Sequence, residues 1–133
     1  GPTKFQWLPR QLQVVNALLD LLPERYKIKL NGDRLKRIFR PSYLRMYLMD
    51  PSEAAESSNI IPMLRNHFYE LELKNAGGAI LNHLSSIEHN FSDNDPDAKK
   101  WLNIFIAVED ILLEKTEEIG WWYAFGVYTT RAI

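Results

Sequence analysis

Leu8, Leu12, Val15, Leu19 and Leu22 recur at steps of three and four residues, the spacing that lines one face of an α-helix. Pro9 stands where a helix can start and Pro23 where it must stop, so this stretch predicts an amphipathic first helix. Asn31-Gly32-Asp33 supplies a turn and an N-cap for a short helix over Arg34–Arg40. In that helix Leu35, Ile38 and Phe39 face one way, while Arg34, Lys36, Arg37 and Arg40 form a basic ridge on the other side. Pro41 restarts the chain as Ser42–Met49, and Pro51 with the Ser/Glu/Ala stretch to Ser58 reads as a loop or a weak helical turn.

Asn59 and Pro62 open a further helix carrying Leu64, Phe68 and Leu71. Ile80, Leu84, Ile87 and Phe91 repeat the same spacing, with Gly77-Gly78 breaking the chain between the two stripes. Ser92–Asp97 is a loop ending in an N-cap, with proline and acids in the first turn where the helix dipole favours them. It leads into a long helix to about Glu118. Gly120 ends that helix, and Trp121–Thr130 reads as a final, mostly buried one. No stretch reads as an alternating strand. The expected architecture is therefore all-α, a single compact bundle of six to seven helices. Its proline-punctuated helices are of the kind stacked in helical-repeat scaffolds, although no tetratricopeptide or ankyrin signature is present.

Placed at 100° per residue, Trp101, Leu102, Ile104, Phe105, Ile106, Val108, Ile111, Leu112 and Leu113 cover more than half the circumference of the long helix. Such a helix is expected at the centre, covered by several neighbours. Glu109 falls inside this apolar arc, where an unpaired carboxylate is costly. It is a candidate general acid or base, with a structural pair to an Arg, Lys or His of an adjacent helix the favoured alternative.

Composition fits a packed globule, with 46% hydrophobic and 25% charged residues among 133. Absence of cysteine excludes disulfides, thiolate metal sites and a cysteine nucleophile. Gly1-Pro2 reads as a tag-cleavage scar, residues 3–133 as one domain, and the aromatic C-terminal end as that of a fragment of a longer protein. With no secretory signal and no run of roughly 20 apolar residues, an intracellular location is expected, nuclear or cytoplasmic.

Nothing in the sequence forms a catalytic or cofactor motif. His67, His83 and His89 lack the three- or four-residue spacing of ligands on one helical face. Ser85 or Ser86 with His83 and Asp93 has no nucleophile elbow around it. Gly77-Gly78 reads as lacking the strand and lysine of a phosphate cradle. No cofactor, metal or enzymatic activity is therefore expected.

Charge is more informative. Residues 1–49 carry ten Lys/Arg against three Asp/Glu, and residues 50–133 six against fourteen. The halves are thus +7 and −8 within a net charge of −1. The positive density centres on Lys27, Lys29, Arg34, Lys36, Arg37, Arg40 and Arg45, a footprint for an acidic partner or for phosphates. Trp121 and Trp122 open an aromatic cluster suited to anchoring a partner. These residues point to an adaptor or scaffold domain, a complex subunit that docks a partner helix or peptide through an aromatic surface and a basic ridge. The alternative is a nucleic-acid-binding module using segment 27–45, against which stands the lack of an overall basic balance.

Overall fold

The computed structural model describes residues 8–49, 58–114 and 123–132. The first helix, α1 (Pro9–Leu21), forms where the apolar spacing places it. Gln11 accepts a hydrogen bond from the Leu8 amide at 3.3 Å, satisfying one donor that the helix start leaves open. Val15, Leu18, Leu19 and Leu22 are buried, and Pro23 leads the chain into a 3-10 turn at Glu24–Lys27.

The next segment is a hairpin and not a helix. Ile28 and Arg34 form an antiparallel bridge, closed by Lys29 N–H to Asp33 O at 2.8 Å and Leu35 N–H to Lys27 O at 2.7 Å. Gly32 at the tip has φ +86°, a left-handed conformation that glycine adopts without steric cost. A side chain of α1 ties down the chain beyond. Asn16, buried in α1, accepts from Ile38 N–H at 2.8 Å and donates to Ile38 O at 3.0 Å. This seats Leu35 and Ile38 in the core.

Helix α2 (Tyr43–Met49) comes after it, and α3 (Ile60–His67) runs directly into strand β1 (Tyr69–Asn75). β1 pairs antiparallel with β2 (Ala124–Thr129), with a bulge between Glu70 and Glu72. Glu70 lies near one end of this ribbon and ties it to α3. It forms a two-pronged pair with Arg65 at 2.7 and 3.0 Å and accepts from Tyr128, directly opposite, at 3.3 Å. A Cβ on Gly126 would lie 2.7 Å from the Tyr128 ring, so any larger residue there obliges the ring to shift. No described side chain of α2, α3 or the ribbon is buried.

A 3-10 helix spans Leu81–Asn90. With three residues per turn, Leu81, Leu84, Ile87 and Asn90 stack in one row; the first three join the core, and Asn90 donates to the carbonyls of Tyr26 and Ile28 at 3.0 and 2.7 Å. Asp95 caps α4 (Pro96–Leu113), accepting from the amides of Asp97 and Ala98. The Tyr26 hydroxyl donates to the same carboxylate at 2.8 Å and holds it below the usual carboxylate range. An aromatic row, Tyr26–Phe91–Phe105–Trp101, with centroids 5.7 to 6.1 Å apart, packs these elements together.

The all-α bundle of six to seven helices is therefore corrected. Among the described residues the protein has four α-helices, two 3-10 segments and a two-stranded antiparallel sheet. Arg34–Arg40 is not a helix, since Pro41 disfavours helical backbone at Arg40 and the bridge to Ile28 and the Asn16 clamp hold the segment extended. The helix from Asn59 stops at His67, because Tyr-Glu-Leu-Glu-Leu-Lys alternates with period two. The expected last helix is replaced by β2, whose Phe, Val, Tyr and Thr suit a strand and whose Gly126 weakens a helix. The stripe from Ile80 to Phe91 lies where the spacing puts it but is wound as a 3-10 helix.

Replacing Asn16 by alanine leaves the amide and carbonyl of Ile38 buried without their partner. Urea unfolding is expected to show a loss on the order of 2–3 kcal/mol; a loss below about 0.5 kcal/mol, the range of a neutral surface change, contradicts the clamp.

Candidate interaction surface

The long helix is not central. Ala98, Phe105 and Glu109 are its buried side chains, all within one side, while Trp101, Leu102, Val108, Leu112 and Leu113 are half-buried. The apolar arc is wider than the surface the fold covers. Ile104 and Ile111, seven residues apart, stand exposed on one flank, and Ile106 stands exposed on the other beside Leu102. Between α4 and the 3-10 helix lies an apolar cleft of about 260 Å³, lined by Leu81, Leu84, Glu88, Phe91, Leu102 and Phe105.

Glu109 is buried and fully engaged, though not with a cationic side chain. Its carboxylate accepts from the amides of Gly78 at 2.7 Å, Ile80 at 2.9 Å and Leu81 at 2.8 Å. Gly77 and Gly78 have φ of +91° and +86°, which turns the backbone so that these donors converge. A strand does precede the glycine pair, and the arrangement is a nest of amides of the kind that binds anions. Its anion is internal. A Cβ on Gly77 would lie 2.5 Å from the Glu109 carboxylate, so the glycine permits the close approach. His83 is buried beside this site; burial pushes its pKa down to about 4, against the opposing pull of the Glu109 charge. It is neutral at pH 7. A role for Glu109 as acid or base has no substrate-facing geometry behind it, since three backbone donors occupy its oxygens.

The basic segment is dispersed. Lys27 is 7% exposed and pairs with Glu24 at 2.8 Å, and Arg34 pairs with the other oxygen of Glu24 at 3.1 Å. Lys36, Arg37 and Arg40 are exposed on the extended segment, Arg45 is exposed on α2, and Lys29 is half-buried. The single helical ridge expected from the sequence therefore does not form. Trp121 and Trp122 lie outside the described residues. Ser85 and Ser86 are exposed while His83 is buried, and among the described residues no group of three or more His, Asp or Glu is placed to hold a metal. Among the same residues no helix is long and apolar enough to cross a membrane.

Comparison with protein-family models, curated proteins and solved structures finds no match.

Three substitutions probe this geometry. Glu109→Gln puts an amide donor against a backbone donor and removes the charge that strengthens the other bonds. A stability loss on the order of 3 kcal/mol is expected in denaturant unfolding, and a near-neutral effect refutes the lock. Gly77→Ala should also destabilise, through its positive φ and the close carboxylate. His83 titrates near 6.5 when unfolded and near 4 when folded, so its contribution is complete above pH 6.5 and is lost as the pH falls towards 4. The melting temperature of wild type should drop across that window more steeply than that of His83→Gln; parallel profiles contradict a buried neutral histidine.

Proposed function

We propose that this chain is a protein-interaction module that docks a helix or extended peptide of another protein. The observation that supports this reading is an imbalance of apolar surface. Among the described residues sixteen large hydrophobic side chains are exposed, against thirteen hydrophobic residues in the core. Scattered exposed leucines are ordinary, but apolar side chains in register on one face mark an interaction site. Leu44 and Leu48 on α2 are four residues apart, Ile60 and Met63 on α3 three apart, and Ile104 and Ile111 on α4 seven apart. Each pair shares a helical face.

The cleft beside α4 offers depth for an anchor side chain, and the flanks of α4 extend the apolar track on either side. Exposed Lys36, Arg37 and Arg45 supply charge that steers an acidic partner towards the surface and affects association rate more than final affinity. Helix-in-groove binding reads anchors at i, i+3, i+4 and i+7, the same spacing these exposed faces present.

Selection of displayed random peptides on the domain should enrich sequences with apolar residues at helical spacing. Those peptides should bind at least tenfold more weakly to Ile104→Lys/Ile111→Lys or to Ile106→Lys. All three positions are exposed, so folding should change by no more than about 0.5 kcal/mol. Failure to enrich any sequence, or peptides indifferent to both variants, refutes the reading.

A further inference from the structure

We propose that the cleft between the 3-10 helix and α4 receives helix α2 of a second copy of this chain, joining molecules head to tail. This rests on the interaction reading and names the partner.

The receiving side is apolar apart from one charge. Leu81, Leu84, Phe91, Leu102 and Phe105 line the cleft, and among the described residues Glu88 is its sole ionisable group. Glu88 is exposed and has no ion pair among the described residues. At about 260 Å³ the cleft falls below the roughly 300–1,000 Å³ typical of sites for drug-sized ligands. It suits one or two apolar side chains.

The inserting side has the complementary character. Leu44, Leu48 and Met49 of α2 are exposed to about 70%, and on a helix Arg45 projects between Leu48 and Met49. Arg45 is likewise exposed and has no ion pair among the described residues. An apolar patch bearing one cation therefore matches an apolar cleft bearing one anion. The opposite charges of Arg45 and Glu88 favour this pairing over one that brings like groups together.

Since the two surfaces differ, the contact is heterologous, and a pair joined by one such contact retains one free cleft and one free α2. Wild type should therefore form species larger than a dimer in sedimentation velocity as concentration rises from low micromolar towards millimolar, and salt should weaken them. Leu48→Asn spoils the inserting side and Glu88→Arg the receiving side, so each variant alone should be monomeric. Mixed in equal amounts they should form a heterodimer that grows no further, because one intact α2 meets one intact cleft. Both substitutions are at exposed positions, and circular dichroism should show both variants folded as wild type.

Wild type that stays monomeric throughout, or a mixture no heavier than its components, overturns the proposal. If the domain still selects peptides in that case, the interaction reading stands with a different partner; if it selects none, both fall.

Discussion

The three hydrogen bonds from the Gly78, Ile80 and Leu81 amides to the Glu109 carboxylate are the constraint on which the rest of the structure depends. They join three parts at one point. Glu109 belongs to α4, Ile80 and Leu81 begin the 3-10 helix, and Gly77-Gly78 form the base of the ribbon, where Tyr123 N–H reaches Gly77 O at 3.2 Å. A buried carboxylate loses its hydration and is tolerable only when its oxygens are satisfied. Here backbone donors do this, and they would themselves be unsatisfied at the start of a helix. One side chain thereby meets both needs and fixes how strand, 3-10 helix and α4 meet.

From that junction the molecule divides by burial. Towards α1, the row Leu81–Leu84–Ile87, the Asn16 clamp and the aromatic row from Tyr26 to Trp101 build the core. Away from it, α2, α3 and the ribbon expose their apolar side chains. The ribbon is held by Arg65, Glu70 and Tyr128 more than by apolar burial. Such an arrangement places hydrophobic area where another chain can cover it, and leaves α4 to serve both the core on one side and the surface on its flanks.

Much of the core is legible in the sequence. The spacing of Val15, Leu19 and Leu22, of Leu84 and Ile87, and the Asp95-Pro96 cap all mark residues that do pack or cap as their pattern implies. The departures have physical causes. Alternation in Tyr69–Lys74 is only six residues long and comes directly after a helical stripe, so its period merges with that of the helix before it. Leu35 and Ile38 are spaced as on a helix, yet their burial comes from Asn16, a contact 22 residues away. Local pattern carries no record of that contact. The apolar arc of α4 exists, but its width does not mean burial, because part of it faces outward. Glu109 is recognisable as anomalous from its position; its partners are not, because backbone amides leave no residue type to search for. The basic residues are visible as a cluster, and only the fold shows Lys27 and Arg34 turned to Glu24.

Native-state amide hydrogen exchange of the unmodified protein tests the central claim most directly. If the Glu109 carboxylate holds the junction, the amides of Gly78, Ile80 and Leu81 exchange only through opening of the whole core, at free energies matching those of the α1 amides around Val15 and Leu19. Exchange of these three amides at the rate of exposed loop amides, while α1 stays protected, would contradict it.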